Sequence, residues 1–169
     1  MNKCNIIIKE ELVEVLHYNP ETGIFTRNTE DEKGNITNTN EIAGTLDGKG
    51  YWQISVYNKR YLAHHLAWLY VYGYIPKIID HINGNKLDNR ICNLREADLS
   101  QNQFNRKINC NNTSGVKGVY WCKKSNRWVV RIMAYGKRKV IGFFKDLEDA
   151  KNAANEARLK YHGNFSNNG

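Results

Sequence analysis

The chain has 169 residues, 25 Lys or Arg against 17 Asp or Glu, and a formal net charge of +8. That length allows one domain or two small ones. It contains no run of roughly 18 apolar residues, the minimum that would predict a membrane helix. The opening MNKCNIIIKEEL has too short an apolar stretch and no small-residue cleavage site for a signal peptide, so the reading is of a soluble, cytoplasmic chain. The four cysteines, Cys4, Cys92, Cys110 and Cys122, form no CxxC pair. That spacing argues against structural zinc and for free thiols in a reducing compartment.

In chain order, Ile7–Leu16 predicts a short amphipathic helix, and YNPETGIF predicts a turn before a short apolar run. Residues 28–40 are polar and read as a loop. GYWQISVYNKRYLAHH alternates β-formers on both sides of Asn58-Lys59, a hairpin pattern, and AHHLAWLYVYGYIP reads as a buried helix closed by Gly73 and Pro76. Ile78-Ile79 predicts a strand, NGNKLDN a loop, NLREAD a second strand, and LSQNQFNRK a helix capped by Asp98 or Ser100. Asn109–Gly115 is polar and reads as the segment joining two domains. GVKGVYWCKK, RWVVRIMAYG and KRKVIGFFK predict three strands, and DLEDAKNAANEARLKYHG a helix with Asp146 as cap and Gly163 after its last turn. The fold class expected is α+β, with domains at 1–108 and 113–169 and a linker at 109–112.

Charge is unevenly placed. Met1–Leu62 carries about −2, Ala63–Asn105 about zero, Arg106–Lys145 about +11 and Asp146–Gly169 about −1. The third segment has no acidic residue, and its bases alternate with aromatic and β-branched residues. A folded basic sheet without acidic relief points to a polyanion, most often nucleic acid.

The stretch IIDHINGNKLDNRICNLREADLSQNQFN, Ile78–Asn105, holds the chemistry. Phosphodiester hydrolysis needs a group to take a proton from water and something to hold the phosphate and leaving oxygen. Histidine suits the first near neutral pH, and carboxylate or amide oxygens suit a hard divalent ion. Asp80-His81, then Asn93-Leu94, then Asn102, with YLAHHLAW upstream, resembles the HNH (ββα-metal) nuclease motif of phage and intron-encoded homing endonucleases, over roughly residues 42–105. The resemblance implies that His81 is the general base and that Asn93 orients it through its side chain or backbone. It implies that Asp80 and Asn102 hold one divalent metal, Mg²⁺ or Mn²⁺, with no small-molecule cofactor. Many HNH nucleases have histidine where Asn102 stands; the homing subgroup shares the asparagine. His64 and Asn105 are accessory candidates, with a core histidine and a helix end as the alternatives. Asn83, Asn85 and Asn89 read as turn residues.

Strand alternation points Arg127, Val129 and Arg131 one way and Trp128, Val130 and Ile132 the other. The segment from Ser114 to Gly163 resembles the APETALA/ethylene-response-factor DNA-binding domain, which also occurs fused to phage HNH nucleases. That implies a DNA-contacting sheet face, with Lys117, Tyr120, Trp121, Lys123, Arg127, Arg131, Lys137 and Arg138 as candidates, Trp121 being open between DNA and core. Tyr120 and Cys122 stand where plant members often have arginine, which sets their base preference aside. Together these imply an endonuclease on double-stranded DNA, monomer or weak dimer, nicking one strand per site and leaving 5′-phosphate ends. Its setting would be a phage or mobile element within a host cell. A non-catalytic DNA-binding regulator and an RNA-directed protein are the alternatives.

Overall fold

The computed structural model describes residues 7–106 and 108–168. The chain forms two compact units, Met1–Glu96 and Ala97–Gly169. The architecture is α+β, as expected, with small antiparallel sheets and few helices.

In the first unit, α1 (Lys9–Val15) buries Leu12 and leads directly into β1 (Leu16–Asn19). Leu16 is therefore the first strand residue rather than the last helical one. β1, β2 (Ile24–Glu30) and β3 (Ile36–Ile42) form an antiparallel meander. The polar run at 28–40 is thus a hairpin and not a loop, with Asn28 opposite Asn38 and Glu30 opposite Ile36. Its turn is built by Asp31, whose Oδ1 accepts from the backbone N–H of Lys33 and Asn35 at 2.9 and 2.8 Å. Both faces of β3 are largely exposed, so no apolar alternation marks it in the sequence. At the other end of the meander, Tyr18 and Phe25 pack with ring centroids 4.7 Å apart, in one core with Leu12, Leu16, Ile54 and Leu66.

β4 (Thr45–Leu46), β5 (Trp52–Val56) and β6 (Lys59–Leu62) form a second sheet. Tyr57 and Asn58, at φ 48° and 61°, make the two-residue turn between β5 and β6, the left-handed pair that matches strand twist in tight hairpins. α2 (Ala63–Tyr72) follows without a loop, buries Ala63, His64, Leu66, Ala67, Trp68 and Leu69, and ends at Gly73 in the left-handed conformation. β7 (Ile79–His81) then pairs antiparallel with β8 (Leu94–Glu96), setting Asp80 opposite Arg95 and His81 opposite Leu94.

The second unit begins with α3 (Leu99–Phe104), whose N-terminus is closed by Asp98 and Gln101 in a reciprocal capping box. The segment 109–112, expected to join the domains, lies inside this unit, because the end of α3 is bound to residues near the C-terminus. Phe104 stacks on His162 at 3.7 Å. Asn167 donates its side-chain N–H to the carbonyl and Oδ1 of Asn105 at 2.7 and 3.1 Å. β9 (Val119–Cys122), β10 (Arg127–Ala134) and β11 (Lys137–Phe144) form an antiparallel sheet in the order β11-β10-β9. α4 (Leu147–His162) packs on it through Ala150 and Ala154, against Val119 and Val130. Asp146 caps α4 by accepting from Glu148 N–H at 2.7 Å. Among the described residues no helix is long and apolar enough to cross a membrane.

Candidate active site and nucleic-acid interface

β7 buries Asp80 and His81 side by side, at 5% and 6% exposure. A buried carboxylate needs a partner, and the strand register supplies it. Arg95 donates from Nε and Nη2 to Asp80 Oδ2 at 2.8 and 2.7 Å. No motif marks Arg95 in the sequence; the one signal there is that a β-pairing of IDH with LRE sets it opposite Asp80.

His81 Nε2 lies 3.2 Å from Asn89 Oδ1. Burial lowers the His81 pKa below the ordinary histidine value, and the hydrogen bond to Asn89 opposes that shift. The imidazole is therefore neutral at pH 7, the form that can accept a proton. His64, at 4% exposure, sets its ring edge-on to His81 with centroids 4.9 Å apart. Burial first, then the charges of His65 and His81, hold its pKa down to about 3. Its Nδ1 is buried without a partner. Tyr51 packs near both rings, and Lys86 lies 4.4 Å over the Tyr51 ring while donating to the Lys49 carbonyl.

Asn93, expected to orient His81 through its side chain or backbone, closes the loop that follows His81. Its Nδ2 donates to Asp88 O and Asn83 Oδ1 at 2.8 and 3.1 Å, and its Oδ1 accepts from Asn83 N–H at 3.1 Å. It pins the two ends of the loop 83–88 together, and its carbonyl accepts from Ile82 N–H at 2.9 Å. Asn89 contributes a side-chain hydrogen bond to the His81 ring. That residue reads as a turn asparagine in the sequence, yet it is only 3% exposed. Asn83 and Asn85 do close the loop, accepting from the backbone N–H of Asn85 and Leu87. Asp88 is held to Arg90 through two hydrogen bonds of 2.7 and 2.6 Å, and this contact lowers its pKa to about 2.

Asn102 is exposed on α3 and belongs to the second unit. Asn105 ends that helix, with its side chain tied to Asn167.

On the sheet of the second unit, the register puts Tyr120, Val129 and Phe143 side by side on the face away from α4, together with Arg127, Arg131, Met133 and Arg138. The Arg131 guanidinium covers the Tyr120 ring at 4.9 Å. Val129 sits on this outer face and is nonetheless buried, with Tyr120 and Phe143 as its register partners on the flanking strands. An open groove of about 420 Å³ runs past Asn109, Asn112, Tyr120, Arg131 and Arg138. Trp121 shares the α4 side with Trp128, edge to face at 5.0 Å. Lys123 lies in the β9–β10 turn, and Lys137 starts β11 opposite Ala134. Lys117 faces inward. Its ammonium donates to the carbonyls of Phe104, Arg106 and Asn167, so it joins the end of α3 to the C-terminal segment. Arg158 is likewise unmarked in the sequence; it is buried and donates to Lys117 O, Asn155 Oδ1 and Asn168 Oδ1.

Comparison with known proteins fits this geometry. The HNH endonuclease family matches residues 61–104, the span that runs from β6 to α3. Protein 3.8 of Escherichia phage T7 is 36% identical over 105 residues, covering 61% of this chain and 86% of that protein. The chain belongs to the family of Protein 3.8 and carries an HNH endonuclease domain. No solved structure matches it. The HNH match suggests a nuclease and implies a nucleic acid substrate, and the matched span takes in Asp80, His81, Asn89, Asn93 and Asn102.

Proposed function

We propose that the protein is a metal-dependent HNH endonuclease of the phage or mobile-element homing type, which hydrolyses one strand of duplex DNA per active site. The observation that carries the reading is the buried Asp80–His81 pair on β7, with His81 Nε2 against Asn89 Oδ1, inside the HNH span.

An acceptor oxygen at Nε2 selects the tautomer with its proton there, which makes Nδ1 the basic nitrogen of the neutral ring. His81 takes the proton from the attacking water. In the first unit Asp80 is the oxygen donor suited to a hard ion such as Mg²⁺ or Mn²⁺, and the resemblance to the HNH motif implies Asn102 as the second donor. Such an ion supplies charge neutralisation at the phosphate and at the departing 3′ oxygen. Arg95 neutralises Asp80 through Oδ2, and an ion held by this carboxylate would add the positive charge that the phosphate needs. The products would be a 5′-phosphate and a 3′-hydroxyl, and a monomer would nick rather than cut both strands.

The second unit is the DNA anchor in this reading, similar to an ethylene-response-factor domain. Its outer sheet face offers Arg127, Arg131 and Arg138 with Tyr120 between them, a shape that suits the major groove. Most of its contacts go to phosphate, giving register rather than base choice.

The test is nicking of supercoiled plasmid with Mg²⁺, with Mn²⁺ and with chelator, beside His81→Ala. Metal-dependent nicking lost in the variant is the expected result. Equal inactivity of both proteins on every duplex tried, or a preference for RNA in competition, would sink the reading.

A further inference from the structure

We propose that Asn89 is the positioning residue for the His81 imidazole, and that the β1–β2 turn exists to hold Asn89 in place. This rests on the reading of His81 as the general base. It deepens that reading by assigning a task to a part of the chain that lies outside the matched HNH span.

Asn89 is fixed from several sides. Its Nδ2 faces the Leu87 carbonyl at 3.4 Å, so its amide oxygen is the end turned to His81. Its own backbone carbonyl accepts from Tyr18 Oη–H at 2.7 Å in the core. Tyr18 comes from β1 and is only 2% exposed. Next along that turn, the Pro20 carbonyl accepts from Ile91 N–H at 3.3 Å. Gly23, at φ +73°, lies so close that a Cβ there would meet Arg90 N at 2.5 Å and Asn89 C at 2.6 Å. The left-handed φ and the close approach both require glycine. One strand residue and two turn residues, Tyr18, Pro20 and Gly23, thus grip a single stretch of backbone, Asn89–Ile91, and the side chain that emerges from it touches the base. The corner between β1 and β2 serves as a backstop to the active site.

Positioning predicts a defined ring state. With Asn89 able only to accept at that contact, the neutral His81 ring carries its proton on Nε2. Long-range ¹H–¹⁵N spectra of the full-length ¹⁵N-labelled protein at about pH 8, where free histidine is neutral, read that tautomer directly. Asn89→Ala should lose it, giving a mixed tautomer population. Asn89→Asp, which keeps an acceptor oxygen in place, should retain it. Tyr18→Phe and Gly23→Ala should each shift the population part-way. In single-turnover plasmid nicking, Asn89→Ala should slow the chemical step about 10- to 100-fold, the usual cost of losing an outer-shell partner, with DNA affinity unchanged and Asn89→Asp restoring much of the rate. A folded Asn89→Ala that keeps the wild-type tautomer overturns the proposal. If Asn89→Ala does not fold, an unaltered tautomer in both Tyr18→Phe and Gly23→Ala overturns it instead. A wild-type protein that cuts nothing refutes the nuclease reading alone, since the tautomer still reports whether Asn89 sets the ring.

Discussion

Asp80 and Arg95 face each other across β7 and β8, and Arg95 sets both Nε and Nη2 on one carboxylate oxygen, Oδ2, at 2.8 and 2.7 Å. Removing one member of a buried pair strands the other charge. Arg95→Met should therefore destabilise the first unit by on the order of 3 kcal/mol, read by urea unfolding. The double variant Asp80→Asn with Arg95→Met should recover part of that loss, because neither charge then remains. If the double variant is as unstable as the sum of the singles, the two side chains are not coupled in the folded protein.

Asn102 and Asn85 should separate cleanly. Asn102→Ala is expected to abolish metal-dependent nicking with little change in DNA affinity, since the side chain is exposed and its helix is capped elsewhere. Asn85→Ala removes the acceptor for Leu87 N–H and should cost about 1 kcal/mol of stability, with the nicking rate of the folded fraction intact. Nicking by Asn102→Ala at the wild-type rate would remove it from the metal set.

The basic residues of the second unit should fall into two classes. Arg127→Ala, Arg131→Ala and Arg138→Ala should each weaken duplex binding and flatten its salt dependence by about one counterion per lost phosphate contact. Lys117→Ala should instead lower stability, because its ammonium binds three backbone carbonyls. Fluorescence anisotropy across a salt series, paired with thermal melts, reads both. A salt slope changed by Lys117→Ala but not by the arginine variants would place the DNA on another surface.

Acid should act through His64. Its pKa, near 6.5 when exposed, is held to about 3 in the fold, so the unfolded chain binds the proton first. Its contribution is complete above pH 6.5 and is lost as pH falls toward 3. His64→Phe also removes the unpartnered Nδ1, and it should flatten the acid limb of the stability curve. Denaturant midpoints measured from pH 7 to pH 4 test this; an unchanged slope would mean that other groups set the acid limb.

Periodicity made the second unit legible, with three β-rich runs and an Ala-faced helix where expected, because apolar alternation and capping residues mark both. The strand–loop–strand–helix around Asp80 was legible for the same reason, through turn asparagines between short apolar runs. β3 was not, since a strand exposed on both faces leaves no alternation to read. Asn89 was indistinguishable from Asn83 and Asn85 because all three stand in one polar loop, and the contacts with His81, Tyr18 and Gly23 that set it apart are tertiary. Lys117 looked like its basic neighbours, although the carbonyls that hold it are up to 50 residues away in sequence. The contacts of α3 with the C-terminal segment were hidden for a related reason. A polar stretch at 109–112 looked like a linker, while Phe104 and Asn105 were already bound to His162 and Asn167.

Asn93 ties Asn83 to the Asp88 carbonyl with three hydrogen bonds. Surface loops ordinarily accept insertions at little cost, but this one is stitched shut by Asn93 and by Asn83, whose Nδ2 also donates to Asp88 Oδ2 at 2.7 Å. Its length is therefore set by the reach of two amides. Relatives that keep this asparagine should hold the spacing between the histidine and the asparagine constant, even where the residues between drift freely.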